Sequence, residues 1–139
     1  LCTANARFSL REVKVAIVAD MGSLQRLPPL IGQGATRELA FTGKDVDAAW
    51  ALRTGLCNEV LADAEALWTA ARAMARTIAD NPPLVVQGIK RVMNHCADKS
   101  VADGLAYVAA WNAAFLQSND IQEAMVAFVQ KRPANFRGD

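Results

Sequence analysis

Two carboxylates, Glu12 and Asp20, stand eight positions apart in the largely apolar run from Phe8 to Gly22. A carboxylate in apolar surroundings costs free energy unless something pairs or uses it. Two of them beside one cavity can share proton-transfer work. Each also has a plainer reading. Glu12 suits a solvent-facing strand position. Asp20 suits the N-cap of a short helix, where it would accept backbone N–H groups.

Other chemistries find little support. Gly32-Gln33-Gly34 is too short for a phosphate-binding glycine loop, and no GxSxG elbow is present. His95 is the only histidine, so no serine or cysteine has a base provided beside it. It falls late in a helical run, where the helix's carbonyl end suits an imidazole. Cys2, Cys57 and Cys96 have no zinc-ligand spacing. Their odd number and wide separation in sequence suit free thiols in a reducing compartment.

The elements that must position the two acids are little strand and much helix. Residues 6 to 18 alternate with period two, and the phase flips near Arg11-Glu12, which predicts a strand bent by a bulge. A short helix is expected from Gly22 to Leu27, stopped by Pro28-Pro29. A second is expected from Gly34 to Phe41. Thr42 to Asp45 reads as a turn, with Asp45 capping a helix over 46–54 and Gly55 closing it in the left-handed conformation. Leu56 to Leu61 reads as a short extended piece.

Four longer helices follow, over 64–79, from Pro83 to about Cys96, over 101–117, and from Asn119 to about Gln130. Each carries an apolar stripe at helical spacing. Asp63 is the expected cap of the first. Ser100 with Asp103, and Asn119 with Gln122, resemble capping boxes. One strand cannot form a sheet alone, because its backbone groups would lack partners. Its neighbours are therefore expected upstream or on another chain.

Hydrophobic residues make up 53% of the 139, above the usual share for a soluble domain. That predicts extensive covered surface, within the chain or between subunits. Fifteen basic residues against fourteen acidic ones leave a net charge of +1 and no basic stripe for nucleic acid. No apolar run is long enough to span a bilayer as a helix. A cytoplasmic location is the expectation.

Taken in order, Phe8-Ser9-x-x-Glu12, Ala19-Asp20-Met21-Gly22-Ser23-Leu24-Gln25-Arg26-Leu27-Pro28, Ile31-Gly32, Glu38-Leu39-Ala40-Phe41-Thr42-Gly43 and Ala48 to Val60 resemble the enoyl-CoA hydratase/isomerase (crotonase) superfamily. The ending Ala127 to Phe136 is similar to that family's closing helix and tail. The resemblance covers essentially the whole chain and implies the C-terminal half of a subunit. The implied fold is α/β, the crotonase-like (ClpP/crotonase) spiral. This piece would be mostly α with one or two strands. Residues 1–62 would complete the βαβ core, and 63–139 would form a helical trimerisation region.

The resemblance implies an acyl-CoA substrate, no permanently bound cofactor and no metal. Coenzyme A would enter only as part of the substrate. Two backbone N–H groups of the family's site stabilise an enolate-like thioester, as dipoles set in advance where charge develops. Glu12 matches the family's acid/base glutamate near the acyl α-carbon. Asp20 stands where ordinary hydratases tend to carry glycine, and it resembles the dienoyl-CoA isomerase branch. There a second acid would deliver a proton several carbons farther on. Lys14 stands where that branch carries an acidic residue. Phe128 and Lys131 match positions near the adenine end of coenzyme A. Their plainer readings are a core residue on the α-helical stripe and a lysine at a helix C-terminus.

Three functions follow. The first is a dienoyl-CoA isomerase-like shuttle. The second is an enoyl-CoA hydratase in which Asp20 is only a cap. The third is an inactive crotonase-like subunit that only assembles. A homotrimer or hexamer is the expected assembly, because Trp111, Phe115 and the 121–129 stripe are more than one helix pair can hide.

Overall fold

The computed structural model describes residues 1–139, in two compact units, Leu1–Arg72 and Ala73–Asp139. The first unit contains strands β1 (Cys2–Thr3), β2 (Arg7–Phe8), β3 (Val46–Asp47) and β4 (Val60–Leu61), with helices α1 (Ser23–Thr42) and α2 (Ala48–Thr54). Helix α3 (Ala64–Ala79) carries the chain into the second unit, which contains α4 (Pro83–Cys96), α5 (Val101–Phe115) and α6 (Asn119–Gln130). No helix is long and apolar enough to cross a membrane.

The strands are short. β1 pairs with β4 in parallel, Cys2 opposite Val60, and β2 pairs with β3 antiparallel, Phe8 opposite Val46. The first core joins Cys2, Ala48, Ala51 and Cys57. The second joins Leu10, Ile31, Leu39 and Val46, and Phe8 and Leu56 pack against both. Cys2 and Cys57, 55 positions apart in sequence, meet with their sulfurs 3.5 Å apart. Both are buried free thiols, and burial pushes the Cys2 thiol above its ordinary pKa.

The expected long strand over residues 6–18 is not formed. Regular pairing stops at Phe8, and Glu12–Val15 is a 3-10 turn closed by Ala16 in the left-handed conformation. β3 offers only two residues to pair with, so the alternation of Val13, Val15 and Ile17 has no ladder to occupy. All three are exposed. The two short helices expected around Pro28-Pro29 are one span, α1, and the chain departs from helical geometry at Gly32 (φ 82°, ψ 159°) instead of at the prolines. Only glycine reaches that conformation without strain.

Two capping expectations are also corrected. Asp47 caps α2, accepting from the Trp50 N–H at 2.8 Å, while Asp45 is engaged elsewhere. The residue before α6 is Ser118, with no side-chain cap, and Asn119 lies inside the helix. Asp63, Ser100 and Gly55 act as expected. Asp63 accepts from Ala66 N, Ser100 from Asp103 N, and Gly55 ends α2 at φ 81°.

In the second unit, α4 and α5 form an aromatic seam. Gly88 meets Trp111, His95 stacks on Tyr107 at 4.1 Å, and Cys96 meets Gly104. Contact partners rise along α4 as they fall along α5, so the two helices are antiparallel. A Cβ at Gly88 would lie 2.5 Å from Trp111 Nε1, so the close approach requires glycine there. The apolar sides of α4, α5 and α6 leave a cavity of about 460 Å³ between them, walled by Leu84, Val92, Val108, Trp111 and Ile121.

Candidate active site

Glu12 is placed by bonds that tie its turn to the α1–β3 connection. The Ser9 hydroxyl donates toward the carbonyls of Lys44 (3.0 Å) and Gly43 (3.3 Å). Arg11 Nη2 donates to both carboxylate oxygens of Asp45, at 2.8 and 2.7 Å. The Arg11 guanidinium holds the Asp45 carboxyl below its ordinary pKa. Both partners are exposed, so the pair adds little stability, and its consequence is positional. Lys14 N bonds Arg11 O at 2.9 Å, and Ile17 N bonds Glu12 O at 3.2 Å. Ala16 sits at φ 61°, ψ 31°, a conformation that costs a non-glycine residue about 1 kcal/mol. Backbone strain of this kind concentrates at functional sites.

Gly43 lies beneath this turn at φ 57°. A Cβ there would stand 2.9 Å from Val13 Cγ1 and 3.0 Å from Lys14 side-chain carbons. Left-handed backbone and a contact this tight together predict that Gly43→Ala costs about 2 kcal/mol. Urea unfolding with an unchanged slope is the check, and stability equal to the parent would refute the close packing.

The half-buried Glu12 opens into a pocket of about 200 Å³. Leu10, Ile17, Val18, Leu24 and Phe41 supply most of its wall, and Glu12 is the only ionisable side chain in it. A single carboxylate facing an apolar hollow can exchange a proton with a bound carbon acid while little water competes.

Ala19 reaches that wall, but Asp20 does not. Asp20 is exposed, in the segment just before α1. It is not the helix cap expected of it either. Gly22 at φ 85° holds the N-cap position, and no side chain caps α1. The structure therefore does not bring Glu12 and Asp20 into one cavity, and it also removes the plainest structural role for Asp20.

Phe128 and Lys131 belong to the second unit. Phe128 is 84% exposed, which rules out the core reading of the α6 stripe. Lys131 is also exposed and ends α6 in the left-handed conformation (φ 53°, ψ 39°). An exposed aromatic ring and an ammonium one helical turn apart can receive a flat heterocycle and a phosphate. No group of three His, Cys, Asp or Glu residues is placed to hold a metal ion. The sequence reading missed Ser9, Arg11, Gly43 and Asp45 as the support of Glu12. Nothing local to residue 12 signals a partner at residue 45.

Short strands feeding helices thus set a lone acid over an apolar hollow. The family model described as enoyl-CoA hydratase/isomerase matches residues 1–139, and the chain belongs to that family. It is 47% identical over 137 residues to a mitochondrial Delta(3,5)-Delta(2,4)-dienoyl-CoA isomerase of Dictyostelium discoideum, covering 99% of this chain and 47% of that protein. It is 40% identical over 135 residues to the peroxisomal protein of that name from Arabidopsis thaliana, covering 97% and 49%. Among solved structures, an enoyl-CoA hydratase from Bacillus anthracis superposes with a TM-score of 0.94 at 30% identity, covering 99% of this chain and 53% of that one. The Mycobacterium tuberculosis H37Rv enoyl-CoA hydratase gives 0.92 at 33%, covering 99% and 54%. The chain thus spans about half the length of the relatives it matches, and those relatives place it in the dienoyl-CoA isomerase branch of the family.

Proposed function

We propose that the chain supplies the acid–base part of a dienoyl-CoA isomerase, acting on a 3,5-dienoyl thioester of coenzyme A. The observation that carries this reading is Glu12, the one ionisable group in an apolar pocket. Its carboxylate takes the proton from C2, next to the thioester carbonyl. The electron pair spreads through the conjugated system and onto the thioester oxygen. Asp20 returns a proton at C6, so the double bonds move from positions 3 and 5 to 2 and 4. Identity of 40–47% to proteins named for that isomerisation supports the substrate class.

Asp20 adjoins the pocket-lining Ala19 and is free of any capping duty; the proposed reading sets it at the pocket's rim. Coenzyme A enters as part of the substrate, its nucleotide end meeting Phe128 and Lys131. Residues 1–62 act as the end of the catalytic core and 63–139 as the assembly region. A homotrimer or hexamer would cover Met125 and Val129, which stay exposed on α6. The mitochondrial and peroxisomal names of the relatives make an organelle as suitable a location as the cytoplasm.

A hydratase is the second reading, favoured by the absence of Asp20 from the Glu12 pocket. In that case Glu12 would work with another acid to add water across a 2-enoyl thioester. The test is to give the intact enzyme a 3,5-dienoyl-CoA and a 2-enoyl-CoA separately. Isomerisation brings the diene into conjugation with the carbonyl and shifts its ultraviolet absorption to longer wavelength. Faster turnover of the diene is the expected result. Faster hydration would favour the second reading, and neither binding nor turnover would leave an assembly subunit.

A further inference from the structure

The segment after α6 is held by a set of bonds that the acid–base chemistry does not use. Asp120 and Glu123 lie three residues apart, on one side of α6. The Asp120 carboxylate is 4% exposed and accepts from Arg137 N at 2.7 Å and Gly138 N at 2.9 Å. Glu123 accepts both arms of the Arg132 guanidinium, at 2.6 and 2.9 Å, and Asn135 N at 2.8 Å. Arg132 Nε donates to Gln130 at 2.8 Å. Fork-on-fork pairing of this kind fixes direction as well as distance. The Arg132 guanidinium holds the Glu123 carboxyl at about 2, so the pair stays charged through the physiological range.

Lys131 sits between helix and clamp. Its N–H bonds Phe128 O at 3.2 Å, and the Arg132 N–H returns to Ala127 O at 3.1 Å. The left-handed backbone at Lys131 costs about 1 kcal/mol for a non-glycine residue. A sequence that needed only a helix stop would place glycine here. A lysine held in this conformation by bonds on its C-terminal side indicates that its side chain must leave the helix in a set direction.

We propose that Glu123 and Arg132 are positioning residues for coenzyme A. Their ion pair holds Lys131 in its left-handed conformation, so that its ammonium meets a phosphate of the nucleotide whose adenine lies on Phe128. This rests on the reading of Phe128 and Lys131 as nucleotide contacts. Asp120 anchors the far end of the same tail and keeps Asn135 within reach of Glu123.

The test compares Glu123→Gln, Arg132→Lys and Lys131→Ala in the full-length enzyme. Two thioesters are used, one of coenzyme A and one of pantetheine, which lacks the nucleotide. Glu123→Gln should raise KM for the coenzyme A thioester about tenfold, the worth of one charge-assisted hydrogen bond, while kcat changes little. Arg132→Lys keeps the charge but loses the fork and should give a smaller rise. KM for the pantetheine thioester should not follow, and Glu123→Gln on top of Lys131→Ala should add nothing. If Lys131→Ala leaves KM unchanged, the nucleotide-contact reading itself fails. If Lys131→Ala weakens binding and Glu123→Gln does not, only the positioning inference fails. Equal losses on both thioesters would mean that the clamp merely supports the fold, which also overturns the inference.

Discussion

Glu12→Gln in the intact enzyme is expected to lower kcat for diene isomerisation by about a thousandfold, within the usual span for removing a positioned acid–base group. That loss corresponds to about 4 kcal/mol of transition-state stabilisation. Glutamine keeps the size and shape of the side chain, so the pocket wall of Leu10, Ile17 and Leu24 is left in place. No other ionisable side chain lines that pocket to take over the proton. KM should move little, because the proposed role sets Glu12 at the reacting carbon and not at the nucleotide. Following the ultraviolet change over one turnover separates the chemical step from product release. A loss smaller than tenfold would remove Glu12 from the reaction.

Asp20→Asn is expected to cost about a hundredfold in the same assay, again as loss of a proton-transfer group. The effect is set lower than at Glu12 because Asp20 is exposed and a water molecule can partly replace its role. A purely structural part for Asp20 predicts nothing of this size, since it caps no helix. Full isomerase activity in Asp20→Asn would end the two-carboxylate mechanism. Retained hydration with lost isomerisation would identify Asp20 as the group that distinguishes the two reactions.

The second half of the chain was the more legible in sequence. α3, α4 and α6 follow their 3.6-residue stripes, α5 is apolar almost all round, and Asp63 and Ser100 cap where a short polar residue precedes an apolar run. These signals are local, and local signals survive tertiary packing. Residues 6 to 18 were misread because alternation reports which faces are apolar, not which partner is present. Val13, Val15 and Ile17 alternate as a strand would, yet the first two lie in a 3-10 turn and Ile17 follows its exit through Ala16. Tolerance of Pro28 and Pro29 within α1, with the break at Gly32, was likewise not readable from proline's ordinary effect. Of the candidate site, Glu12 was visible as a residue type. Its pocket was not, because Leu24 reaches that wall from the start of α1 and Ala40 and Phe41 from its far end, nearly thirty residues beyond Glu12.

The moorings of Ser9 and Arg11 on residues 43 to 45 carry a further consequence. The acid takes its coordinates from a loop some thirty residues downstream, which also packs Gly43 against Val13 in the pocket wall. Sequence drift at that remote foundation would tilt the carboxylate and shift the adjoining side of the hollow together. Evolution, or a protein engineer, thus has a handle on the acid's aim that lies outside the segment carrying it.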